Sequence, residues 1–170
     1  MEPRELSRYL REGDDPDLNR RRWVVGLSLL GAAMGQVVSL YQTGIIKHLP
    51  DPPPQSLFDS DKVDASDYAY KRFDTPDGLP MIASYAITGL LAGAGGPDRP
   101  RNTPLLPIAM AVKTLYDTGL AAELAREEWQ DNKALCAYCQ VATLASAASL
   151  ALAMPEAMRA VQGLLGDGRG

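Results

Sequence analysis

Residues Trp23–Ile46 read WVVGLSLLGAAMGQVVSLYQTGII, 24 positions without one charged side chain. A helix of about 20 apolar residues, rising about 1.5 Å per residue, crosses the hydrocarbon of a bilayer. The polar residues within the stretch are Ser28, Gln36, Ser39, Gln42 and Thr43, all uncharged, so no face of the helix is well solvated. Gly31 and Gly35 stand in Gly-x-x-x-Gly spacing, which permits a second helix to approach closely. The polar leader of 22 residues is long, and the apolar run exceeds the roughly 7–15 residues of a signal peptide's apolar region. It reads as a retained transmembrane helix.

Further along, Gly78–Gly96 runs 19 positions and Ala134–Pro155 runs 22, again without charge. A fourth stretch, Asn102–Ala125, is mostly apolar but contains Lys113, Asp117 and Glu123. The whole chain of 170 residues has a mean hydropathy of −0.14, but its polar residues crowd 1–22, 47–77 and 126–133. The expected fold is all-α: an integral membrane four-helix bundle with a short outer-face helix in the first loop. A polar N-terminal segment (1–22) precedes the membrane domain (23–155), and a C-terminal tail (156–170) follows it. The rival is a soluble bundle with long buried helices. Its helices would need a polar stripe, and the narrow one on the last stretch (Gln140, Thr143, Ser146, Ser149) suits helix–helix contact within a membrane instead.

Six arginines precede Trp23, three of them abutting it (Arg20, Arg21, Arg22), and the positive-inside rule places that end in the cytoplasm. Four spans return the C-terminus to the cytoplasm and put 47–77 and 126–133 outside, in a multi-pass protein of the cell inner membrane. Trp23, Tyr41 and Trp129 suit interfacial anchoring, and His48 has no expected task. Residues Ser60–Phe73 predict a short amphipathic helix with Val63, Ala65, Tyr68, Ala69 and Phe73 as apolar contacts. A net charge of −4 excludes nucleic-acid binding through a general basic surface.

The only two cysteines form Cys136-Ala-Tyr-Cys139 at the start of the last apolar stretch. Residues three apart share a helical face, so the sulfurs can meet. Asp131 or Asn132 is the expected cap of that helix, and its N-terminal dipole favours a thiolate. A redox dithiol is the preferred reading over two merely buried small residues. Zinc would need two further ligands, with His48 the sole histidine, so no metal is expected. Lys113 and Asp117, four apart, read as a mutually neutralising pair between helices, or as polar lining of a quinone or proton path.

With these features in place, the chain resembles the vitamin K epoxide reductase family over roughly residues 23–155. The resemblance rests on Leu135-Cys-Ala-Tyr-Cys139 opening the fourth span, Val63-Asp-Ala-Ser66, Tyr68-Ala-Tyr70 and Gly78-Leu-Pro80. It implies a membrane thiol:quinone oxidoreductase whose substrate is a quinone of the menaquinone or ubiquinone type. Cys139, deeper in the helix, would react with the quinone; Cys136, nearer the surface, would resolve it as a disulfide. Ser66 would help cap the quinone pocket. The bilayer, the quinone and an external thioredoxin-like dithiol protein are the implied partners. Two departures stand out. The loop 47–77 holds none of the family's relay cysteines, the nearer of which falls at Ser60, and a tyrosine of some members is Thr143 here. The lost relay supports a second reading, a non-catalytic quinone-binding or assembly protein that retains the fold.

Overall fold

The computed structural model describes residues 2–72 and 74–167. The fold is all-α: α1 (Pro3–Glu12), α2 (Pro16–Gln42), α3 (Ser60–Asp64), a 3-10 turn (Asp67–Ala69), α4 (Gly78–Gly93), α5 (Arg99–Asn102), α6 (Leu105–Asn132) and α7 (Ala137–Asp167). The four longest helices pack together. α2 lies against α4 and α7, α6 lies against α7, and α4 and α6 meet only lightly.

Asp15 caps α2, its carboxylate accepting from the N–H groups of Asp17 and Leu18, with Pro16 at the first helical position. The helix therefore starts before the uncharged stretch and takes in all three arginines. Gly31 and Gly35 face α4 as their spacing predicts. A Cβ at Gly31 would stand 2.3 Å from the Tyr85 ring, and one at Gly35 would stand 3.0 Å from the Gly78 carbonyl.

Among the described residues, two helices, Pro16–Gln42 and Ala137–Gly166, are long and apolar enough to cross a membrane by length and composition. α4 falls short with 16 residues, because Asp77 and the turn beyond Gly93 bound it. α6 is long, but its last turns are charged. The third polar segment, expected as a loop, is helical as far as Asn132; Lys133 then adopts a left-handed conformation (φ 53°) and ends the helix. Nearby charges such as Glu123 and Arg126, paired at 3.0 Å, are compatible with an exposed helical face.

The structure revises two other expectations. The helix foreseen over Ser60–Phe73 is split into α3 and the 3-10 turn. The Ser66 hydroxyl donates to the Val63 carbonyl at 2.6 Å, and the Ser66 N–H donates to the same oxygen at 3.1 Å. That acceptor is thereby withdrawn from helix propagation, and Ser66 is extended. Val63, Tyr68 and Ala69 are buried as foreseen, Ala65 is exposed, and Phe73 lies outside the described residues. The segment set apart as a C-terminal tail continues α7 through Pro155 to Asp167.

That continuation carries structure. Arg99, 1% exposed, donates to both Glu156 oxygens at 2.9 and 2.7 Å and to the carbonyls of Leu91 and Ala94. Arg21 donates to the carbonyls of Ala92, Ala94 and Gly95. Two buried guanidinium groups thus satisfy the C-terminal carbonyls of α4 and tie them to α2 and α7. Glu156→Ala leaves Arg99 buried and unpaired, and the expected loss is about 3–5 kcal/mol. Thermal unfolding in detergent, read by helical circular dichroism, checks it.

Candidate active site

At the opposite end of the bundle, the first loop folds down over the start of α7. Leu135 donates its N–H to the Leu57 carbonyl at 2.9 Å and accepts from the Asp59 N–H at 3.1 Å. Ser60 donates to Asp51, and its hydroxyl oxygen accepts from the Ala137 N–H at 3.0 Å. The N-terminus of α7 is therefore served by Ser60 rather than by Asp131 or Asn132, both of which belong to α6. The Cys139 N–H points at the Cys136 sulfur (3.3 Å), and the Cys136 N–H lies 3.4 Å from Glu128 Oε2.

Both thiols are free. Cys136, expected nearer the surface, is the fully buried one, packed with Val38, Val63, Tyr68 and Ala69 beneath the loop. Cys139 is partly exposed because it forms part of a cavity wall. An Asp64 carboxylate oxygen and the two sulfurs lie within 4.8 Å of one another. These three atoms are one fewer than the four a closed zinc site takes.

The cavity, about 300 Å³, is lined by residues of α4, α6 and α7, and its walls are largely apolar. Met81, Leu120 and Leu124 are among its apolar lining residues, together with Tyr68 of the 3-10 turn. Gln140, Thr143 and Ser146 also face it, so the polar stripe of α7 is cavity lining as well as helix contact. Tyr85 donates to the Ala142 carbonyl and hydrogen-bonds Ser146 at 2.8 Å, bracing α4 against α7. Lys113 pairs with Asp117, and Ser84 joins the pair by accepting from Lys113 at 2.8 Å and donating to Asp117 at 3.1 Å. Only Asp117 and Ser84 of this group reach the cavity.

Two buried carboxyls beside the cysteines were not singled out from sequence. Burial pushes Glu128 up to about 8, assisted by the charges of Asp64 and Asp77 and opposed by the Cys136 N–H and the Gln140 amide, which donates at 3.0 Å. Burial likewise pushes Asp64 up to about 7, with Asp77, Asp51 and Asp61 adding to the rise and the Cys136 thiol opposing it. Glu128 lines the cavity alongside Cys139.

The model of the vitamin K epoxide reductase family matches residues 22–154, most of the chain. The chain belongs to the vitamin K epoxide reductase family. Membership supports an oxidoreductase, and together with the two apolar helices it marks a membrane protein. No curated protein and no solved structure matches the chain.

Of the residues the family resemblance singled out, Cys136 and Cys139 come together. Thr143 lines the cavity, while Ser66 does not; its hydroxyl is spent on Val63 at the start of the turn that carries Tyr68. Ser60, where the resemblance puts the nearer relay cysteine, is buried next to the residue that follows Cys136.

The buried carboxyls set a pH dependence of stability. A carboxyl whose folded value is raised stabilises the fold fully below its unfolded value, and that contribution is lost as pH rises through the folded value. For Glu128 the window runs from 4.5 to about 8. Glu128→Gln is expected to flatten the decline of the thermal midpoint across that window, measured by unfolding scans in a pH series.

Proposed function

We propose that this chain is a multi-pass membrane thiol:quinone oxidoreductase. The observation that carries the proposal is Cys139 in the wall of an apolar cavity, with a second free thiol one helical turn back and buried beside it. A cavity of about 300 Å³ is at the small end of ligand pockets, which run from about 300 to 1,000 Å³, and suits a quinone ring with its tail in lipid. A quinone carbonyl near Cys139 would find Glu128 on the same wall. With its value near 8, that carboxyl is mostly neutral at pH 7 and able to donate.

The electrons for the quinone come from the two thiols. The Cys139 thiol adds to the ring, its proton passing to a quinone oxygen. Cys136 then attacks the Cys139 sulfur and gives up its proton; the disulfide forms, the sulfur–carbon bond breaks, its electron pair remains with the ring, and the ring takes a second proton to become the hydroquinone. A dithiol reductant restores the pair. Because Cys136 is fully covered, an external thioredoxin-like protein reaches it only after the segment carrying Ser60 lifts.

Four spans, with both termini cytoplasmic and the cysteines near the outer face, fit the family and the exposed apolar faces. α4 is short and α6 carries Lys113 and Asp117, yet they present Ile87, Leu90, Val112 and Leu115 outward, all about half exposed or more. Water-facing helices rarely do this. A helix of 16 residues reaches about 24 Å, and local thinning of the bilayer accommodates it. Carbonate extraction is expected to leave the chain in the membrane pellet; release into the supernatant would exclude the spans.

A second reading is favoured by Ser60 alone: with hydroxyl instead of thiol at the relay position, the chain binds quinone without turning over. Quinone-dependent thiol oxidation by the purified chain separates the two. The parent is expected to consume dithiothreitol with a short-chain ubiquinone as acceptor, and Cys139→Ala to lose that rate at least 100-fold. Equal rates would remove Cys139 from the chemistry.

A further inference from the structure

Asp64 is the buried group that the proposed reaction leaves without a task. It closes α3 at 1% exposure, and neither carboxylate oxygen has a hydrogen-bond partner among the described residues. A carboxylate in that position weakens a fold unless it does something else, since burial without a partner is costly. A carboxylate oxygen lies within 4.8 Å of both the Cys136 and Cys139 sulfurs. Cys139 faces the cavity, whereas Asp64 and Cys136 do not line it.

The charges that act most strongly on Asp64 are acidic. Asp51 and Asp61 face it from the first loop and α3, and Asp77 from the residue before α4. Glu128 faces it from α6, Cys136 and Cys139 from the start of α7, and the phenols of Tyr41 and Tyr70 from α2 and the 3-10 turn. The charges of Asp77, Asp51 and Asp61 repel the ionised form. A proton added at Asp64 is therefore well placed, and the nearest source is the Cys136 thiol.

We infer that Asp64 is the proton acceptor for Cys136 as the Cys136–Cys139 disulfide closes. The inference rests on the redox reading of the cysteine pair. In the closing step the Cys136 S–H bond breaks, its proton goes to Asp64, and the freed electron pair forms the bond to the Cys139 sulfur. The electron pair of the broken sulfur–carbon bond stays on the ring. The ring takes its second proton from Glu128, leaving the hydroquinone. Passage of the Asp64 proton to Glu128 resets both carboxyls, so two thiol hydrogens have become two hydroquinone hydrogens. A base titrating near neutral pH is well matched to this task, because it is partly ionised yet holds the proton it accepts.

The test uses the full chain in detergent and follows disulfide closure in two ways. The first is oxidation by the short-chain ubiquinone. The second is oxidation by diamide, a thiol oxidant that needs no quinone site, with the products trapped by alkylation and weighed. With diamide, the parent rate is expected to rise with pH through about 7, where Asp64 ionises. Asp64→Asn is expected to lose that rise and to slow at pH 7 by tenfold or more. Asp64→Glu, which restores a carboxylate, is expected to stay within about threefold of the parent. An Asp64→Asn profile that overlays the parent overturns the inference. If that variant does not fold, a parent profile that shows no rise through about 7 overturns it equally. A parent that closes its disulfide with diamide in the expected way but never with ubiquinone overturns the quinone reading and leaves the role of Asp64 standing.

Discussion

The start of α7 is buried, and a buried helix N-terminus must find acceptors for N–H groups that the helix itself cannot satisfy. Three different elements supply them here. Ser60 serves Ala137, Glu128 lies against the Cys136 N–H, and the Cys136 sulfur receives the Cys139 N–H. The arrangement of the site follows from this requirement. The first loop is drawn down over the cysteines, α6 extends until Glu128 reaches them, and Cys136 is sealed from solvent while Cys139 faces the cavity.

The same end of the bundle concentrates negative charge. Asp64, Asp77 and Glu128 are all pushed upward by burial, and neighbouring aspartates add to the rise of Asp64 and Glu128. The far end is built the opposite way, with Arg21 and Arg99 gathering the loose carbonyls of α4 and one carboxylate, Glu156. One end is saturated with hydrogen bonds and holds the helices in register. The other keeps a carboxylate unpartnered beside two free thiols, which a purely structural design would avoid.

Much of the fold was legible in the chain. The uncharged run after Trp23, the glycine spacing at Gly31 and Gly35, and the placement of Cys136-Ala-Tyr-Cys139 led to the helical class and the family. Helix boundaries were less legible. Polarity in 126–133 looked like a loop, but one face of that segment packs inward through Glu128 and Asn132 and keeps it helical. The break at Ser66 depends on a hydroxyl turning back on a carbonyl three residues earlier, a local choice that amphipathic spacing does not record. Likewise, the 156–170 segment looked like a tail because nothing in its spacing reveals that Glu156 meets Arg99, 57 positions away.

By itself the sequence determined the quantities that are local along a helix: how far each apolar run extends, which residues share a face, and that two sulfurs one turn apart can bond. Tertiary structure alone decided which polar groups lose water. Seven aspartates in the first loop look alike in sequence, and only packing against α7 picks out Asp64 as the buried, unpartnered one. Burial is a property of all the neighbours at once, contributed here by residues more than 70 positions apart, as with Ser60 and Ala137. Ionisation follows burial, so the protonation chemistry of the site exists only in the assembled fold.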